Sequence, residues 1–273
     1  MPSQFSSIGF TVSSGEDLAA LASQVTDKAD RIVTAAGEYL RWAPHSGLER
    51  PGEQLWLQIT SKGDAMGMNP HFAGKSSVRV GVEARVARPA QTPLDGAFLA
   101  WANPPAGEVT GGDYPFAFDC PDAARHLDLA LPVVVTAQVA AFAQQVSLYA
   151  SADAYASSPD AQGSRGASRS FIPSGLISPA GEPVIPPESH ALIAGHVVEA
   201  APRVNVISGA HYWWALVDTL GGTFDVVIDP QLLPEPPRAG QVLSGWFWLS
   251  GRLLTAESDN TPAVGWLRRL VGR

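Results

Sequence analysis

The residues of this 273-residue chain best able to do chemistry are its six histidines and its single cysteine, and their spacing offers no ready-made site. His45, His71, His126, His190, His196 and His211 form no H-x-H or H-x-x-x-H pair, and Cys120 has no C-x-x-C partner. Zinc-type sites draw on such short local spacings, so no metal and no cofactor is expected. Cys120 sits between Asp119 and Pro121 with carboxylates close by, which disfavours the thiolate and argues against a cysteine nucleophile. No G-x-S-x-G elbow for a serine nucleophile is present. Glu38, Glu53 and Asp225 lie in or beside strand-like stretches, and spacing does not say whether any two face each other, as general acid–base work requires.

Two neighbouring segments come closer to a motif. Gly74-Lys75-Ser76 matches the tail of a phosphate-binding loop, in which backbone N–H groups and a lysine hold phosphates ahead of a helix. Asn69 stands where the upstream glycine is required, and the residues after Ser76 alternate as a strand, so a turn entering a strand is expected instead. Met66 to Gly74 reads as a loop joining two strands; it carries His71 and Asn69, with Lys62, Asp64 and Lys75 close by, a composition suited to a ligand-facing loop.

The aromatic pattern is the stronger signal. Trp213 and Trp214 are consecutive and must point to opposite faces of a strand, whereas Trp246 and Trp248 share one face. Either both faces of that sheet are covered or an indole reaches the surface. Large aromatics fill cores and recognition surfaces alike, and the two-faced core is the simpler expectation.

Composition narrows the classes. A formal charge of −8 with only 18 basic residues opposes unspecific binding to nucleic acid or to an anionic membrane. A lone cysteine cannot form an internal disulfide, and Met1 to Phe5 resembles no secretory signal, so a cytoplasmic location is expected. Leu129 to Ala152 carries no charge and is long enough to cross a bilayer, but Pro132, Gln138, Gln144 and Gln145 favour buried strands there. The short basic tail, Gly265 to Arg273, is too small for stable anchoring.

Elements follow from periodicity. Ile8, Phe10 and Val12 alternate as a first strand; Ser13 and Ser14, with Glu16 and Asp17 three residues on, then cap a helix with Leu18, Leu21, Ala22 and Val25 on one face. Three further strands complete a β-α-β-β-β cap over residues 1–62. Two related β-modules follow, at 63–156 and 190–256, separated by a Pro/Gly/Ser-rich linker, 157–189, and trailed by a tail, 257–273. The linker holds an apolar island, Phe171-Ile172-Pro173, expected to dock on a neighbouring surface. The modules are paired by an internal repeat. Val80-Gly81-Val82-Glu83, Gly96 to Trp101, Phe116 to Asp119 and Val133 to Thr136 recur in order as Ala194 to Glu199, Gly209 to Trp214, Phe224 to Asp229 and Val242 to Gly245. Short strands with a glycine inside the first of each set suit small barrels. The layout resembles an OB-type barrel, with the proline-rich Leu232 to Arg238 where that fold usually has a helix. The fold expected is therefore mainly β, α+β overall, with a cap and two small antiparallel, OB-like barrel modules.

Without a catalytic signature, the expected function is non-catalytic binding of a protein partner or small molecule. It would run through Trp213, Trp214, Trp246 and Trp248 or through His71 and Asn69. Two alternatives remain: an enzyme using His71 with Asp64 or Glu38 at the cap junction, and single-strand nucleic-acid binding by aromatic stacking, which the acidity disfavours.

Overall fold

The computed structural model describes residues 3–44, 51–60, 62–89, 91–162, 166–176 and 186–254. His45 and the basic tail lie outside these residues. Helix α1 (Gly15–Thr26) starts where its capping signals predict: the Ser14 hydroxyl accepts from Asp17 N, and the Asp17 carboxylate accepts from Ser14 N. Residues 8–12, strand-like in sequence, join no ladder. The hydroxyls of Ser3, Ser6 and Ser7 bond backbone groups of this segment and wind it into a 3-10 turn at Ser6–Ile8, a local competition that displaces strand pairing.

Four strands then form an antiparallel sheet in chain order: β1 (Asp30–Thr34), β2 (Gly37–Trp42), β3 (Gly52–Ile59) and β4 (Ala65–Ala73). Alternation along β3 serves two cores. Leu55 and Leu57 pack with α1, Tyr212 and Trp214, while Trp56 packs with Tyr39, Leu94 and Ala124 on the other face. Strand β4 corrects the expected loop at 66–74. Its glycine and proline suggest a connection, yet β4 is the edge of its sheet, where the N–H that Pro70 lacks is not needed for a further ladder.

The other nine strands among the described residues make one mixed sheet: β5 (Val78–Val86), β6 (Ala97–Ala102), β7 (Pro115–Asp119), β8 (Val133–Tyr149), β9 (Ser170–Pro173), β10 (His190–Val204), β11 (His211–Thr219), β12 (Gly222–Ile228) and β13 (Val242–Leu254). Two short helices, α2 (Ala152–Ala156) and α3 (Pro159–Gln162), follow β8. Hydrogen bonds trace two rings. In the first, β5, β6 and β7 run antiparallel, β7 meets β13 in parallel, and β13 leads through β8 back to β5. In the second, β10, β11 and β12 run antiparallel, β12 meets β8 in parallel, and β8 leads through β13 back to β10. Both rings follow one order of pairings and share the long β8–β13 ladder, so the protein is mainly β with a barrel-like ring of strands in the larger sheet.

That ladder explains the uncharged run. In place of the several buried strands expected there, Val133–Tyr149 is one strand, bent where Trp246 and Phe247 pair with Gln145 and Ala143 around a bulge. Each end of β8 has strands on its flanks, so its centre is buried by protein. Among the described residues no helix is long and apolar enough to cross a membrane.

Candidate functional site

At the junction of β7 and β13 the ladder shrinks to a single parallel bridge, Asp119 opposite Ser250. A cleft of about 210 Å3 opens there, lined by Asn69 of β4, Arg88, Gln91 and Asp95 of the β5–β6 connection, Asp119 and Cys120 at the end of β7, and Trp248 and Ser250 of β13. Alternation places Trp248, Ser250 and Arg252 on one side of β13, and each meets its own partner. The Trp248 Nε1–H donates to Asp119 Oδ2 at 2.6 Å, Ser250 Oγ lies 2.9 Å from His71 Nδ1, and Arg252 Nε donates to Asp122 Oδ2 at 3.1 Å.

The cleft's charged groups are held rigidly. Arg88 ion-pairs with Asp119 through Nη1 and donates from Nε and Nη2 to Pro187 O and from Nη2 to Ser189 Oγ. Asp119 also accepts from Ser189 Oγ at 2.8 Å. Asp95 accepts from Asn69 Nδ2 at 3.1 Å, from Gln58 Nε2 and from Thr92 N. Burial pushes the Asp95 carboxyl up, but these hydrogen bonds outweigh it and hold it below the usual carboxylate range, so the group is ionised at neutral pH.

Beneath the cleft, Ser250, His71, Gln138 and Asp225 form a buried relay. The Gln138 Nε2 donates to Phe72 O at 3.1 Å and Asp225 Oδ2 at 3.0 Å, which turns its Oε1 toward His71 Nε2 at 2.8 Å. His71 therefore carries its proton on Nε2 and accepts from Ser250 Oγ–H at Nδ1. A hydroxyl bonded to a neutral imidazole is half of a nucleophile–base pair. The other half is missing: a carboxamide stands where a carboxylate would stabilise an imidazolium. Burial first, and then the charge of Arg252, push the His71 pKa down to about 3.

That depression has a measurable consequence. Unfolded His71 takes up a proton below its ordinary pKa of about 6.5, whereas the native imidazole stays neutral down to about 3, so its contribution is intact above 6.5 and is lost as pH falls through that value. Unfolding free energy should drop by about 2 kcal/mol between pH 7 and pH 5 from this group. His190, lowered chiefly by burial, acts in the same direction, and Asp225, raised by burial, acts in the opposite one. Comparing urea midpoints of the parent and His71→Asn at the two pH values isolates the His71 share. Equal slopes in both proteins would refute it.

The sequence-derived candidates divide. Asn69 and Trp248 line the cleft, and His71 supports it from below through Ser250. Trp213 and Trp214 do point to opposite faces: Trp213 packs on the barrel core and donates to Leu233 O at 2.7 Å, while the fully buried Trp214 packs with Phe72 and donates to Asp225 Oδ1 at 2.9 Å. Neither lines the cleft. Among the described residues Trp246 is the most exposed indole, at 37%, with its ring edge to His190. Glu38 pairs with Arg31 and Asp64 is exposed in the β3–β4 turn, so neither joins His71. Glu53 accepts from the buried Tyr212 hydroxyl at 2.7 Å.

The phosphate-loop fragment has found an anion within the chain. Lys75 N and Ser76 N donate to the two oxygens of Asp225, at 2.9 and 2.8 Å. Sequence reasoning missed Arg88, Asp95, Asp119 and Ser250. The alternation Trp246-x-Trp248-x-Ser250-x-Arg252 carried a signal for one wall, but nothing local linked it to residues of β7. No protein-family model matches this chain, and comparison with the curated proteins and with the solved structures found no match.

Proposed function

We propose that the protein is a non-catalytic binding protein whose β7–β13 cleft takes a small, neutral, hydroxyl-rich ligand of about sugar-ring size. The observation that carries this reading is the balance of hydrogen-bonding groups in the cleft. Arg88 spends four of its five N–H donors on Asp119, Pro187 and Ser189, while the Asp95 and Asp119 carboxylates and the Asn69 carbonyl oxygen keep acceptor capacity. Acceptors of this kind suit a ligand that presents several O–H donors, and the indole of Trp248 supplies an apolar wall. The volume corresponds to about seven waters at liquid density, below the roughly 300 Å3 at which drug-sized sites begin. The lack of a carboxylate behind His71, and its depressed basicity, weigh against an acyl-transfer role for Ser250. We further read the two rings, with their shared pairing order, as descendants of one copied unit.

Intrinsic tryptophan emission should report occupancy, because Trp248 faces the cleft. Titrating the full chain with a panel of monosaccharides, linear polyols and small amines should give a saturable change with at least one hydroxyl-rich compound. Asn69→Leu, which removes an acceptor and fills space, should weaken that binding by about tenfold or more, the value of one lost hydrogen bond. Silence across the hydroxyl-rich compounds, or binding of amines alone, would overturn the ligand class. Labelling of Ser250 by a fluorophosphonate would overturn the non-catalytic reading.

A further inference from the structure

Behind the cleft, the 3-10 turn at Ala123–His126 folds the chain back so that Cys120, Asp122 and His126 converge. Their ligand-capable atoms all lie within 4.8 Å of one another, and all three residues are buried. The Cys120 thiol donates to Asp122 Oδ1 at 3.2 Å, and His126 Nε2 lies 3.7 Å from the same oxygen, beyond hydrogen-bond reach. His126 is 5% exposed, and its Nε2 has no hydrogen-bond partner. A buried imidazole nitrogen left without a partner is costly and calls for an occupant.

We propose that Cys120, Asp122 and His126 form a binding site for one divalent transition-metal ion of the zinc class. The donors are a thiolate sulfur, an imidazole nitrogen and a carboxylate oxygen, the set that borderline-soft Zn2+ accepts. Tetrahedral bonds of ordinary zinc length place N and O about 3.4 Å apart and S and O about 3.6 Å apart. The observed 3.7 and 3.2 Å lie within a few tenths of an ångström of that frame. Asp122 is already oriented for one-oxygen coordination: Arg252 at 3.1 Å and Arg125 at 3.2 Å hold its Oδ2, leaving Oδ1 to the thiol and the imidazole. The two guanidiniums act as outer partners that fix the ligand, and their charge lowers the affinity below that of a closed four-ligand site. Cys120 also lines the cleft, so an ion would enter from there, with water in its fourth position.

Binding exchanges one bond for another at sulfur. The Cys120 S–H bond breaks, its proton passes to solvent, and a metal–sulfur bond forms with no change in oxidation state. The local pattern C-x-D-x-x-x-H is the sequence trace of this geometry, and it departs from the expectation of no metal because it uses neither paired histidines nor paired cysteines.

The test uses untagged, chelator-treated full-length protein, titrated with Zn2+ against a chromophoric chelator and separately with Co2+. One ion per chain should bind with release of about one proton. The Co2+ form should show a thiolate-to-metal charge-transfer band in the near ultraviolet together with intense visible bands of a tetrahedral site. Cys120→Ser should abolish the charge-transfer band, and His126→Gln should weaken Zn2+ binding by about 100-fold or more, at least the loss seen on removing an outer partner. Absence of saturable one-to-one binding to the parent overturns the proposal. So do Co2+ spectra without a thiolate band, which keeps the parent decisive even if a variant misfolds. Unchanged Zn2+ affinity in a folded His126→Gln protein overturns it as well. The proposal stands apart from the ligand reading of the cleft, since it is read from metal and thiolate alone.

Discussion

Asp225→Ala should cost about 4 kcal/mol or more of folding stability, a large share of what a domain of this kind possesses. Asp225 is fully buried on β12, and its two oxygens accept four N–H groups: Lys75 N and Trp214 Nε1 at Oδ1, Ser76 N and Gln138 Nε2 at Oδ2. Burial raises its pKa and these donors oppose the rise. Each oxygen thus takes two N–H donors, and the chain holds the side chain in one orientation. Truncation strands four donors, three of them in buried bonds, at about 1–3 kcal/mol each, and water entering the vacated space recovers part. Asp225→Asn keeps the volume but turns an N–H toward other donors, and should cost about half as much.

Gly74 supplies an internal control for this prediction. A Cβ at Gly74 would lie 2.0 Å from the Asp225 carboxyl carbon, so Gly74→Ala alone must push the carboxylate off its donors. In the Asp225→Ala background that obstacle is gone, and the same glycine substitution should cost little. Urea unfolding of the two single variants and the double variant gives the coupling directly. Strictly additive costs, or a loss below about 1 kcal/mol for Asp225→Ala, would sink the account of this network.

These residues also mark how far sequence reading reaches. Strand β5 was legible because Val78, Val80, Val82 and Val86 are buried on one face while Arg79 and Glu83 are exposed on the other. The α1 start was legible because its capping groups are three residues apart. The short Leu220-Gly221 connection between β11 and β12 has a local cause of the same kind, since Gly221 and Gly222 both adopt positive φ. What connects Lys75 to Asp225, His71 to Ser250, or Asp119 to Trp248 is different in kind. Those contacts join residues 150, 179 and 129 positions apart, through a ring closure that no local periodicity encodes. The error at β4 has the same origin. Gly67 and Pro70 are loop formers by propensity, and only the knowledge that β4 ends its sheet makes them acceptable there.

The apolar segment Phe171-Ile172-Pro173, which forms most of β9, supports a second large effect. Phe171→Ala should destabilise the protein by about 3–5 kcal/mol, the range for truncating a core phenylalanine. Strand β9 is only four residues long and lies at one end of the strand order, pairing with β10 from Ala191 to Ala194, so its backbone bonds alone hold it weakly. Phe171 fastens it. The ring stacks on Tyr114 at 4.2 Å between centroids, meets Phe116 edge-on at 5.6 Å and tilts against Phe224 at 5.3 Å. It thus joins β7 of the first ring to β12 of the second. The neighbouring Ile172 is only partly buried, as alternation along β9 requires. Ile172→Thr should therefore cost less than about 1 kcal/mol. Thermal or urea unfolding of the two variants separates a core contribution from mere tethering of the strand. If Phe171→Ala proves as mild as Ile172→Thr, the segment is a passive connection and the aromatic cluster is not the element that fastens the two rings together.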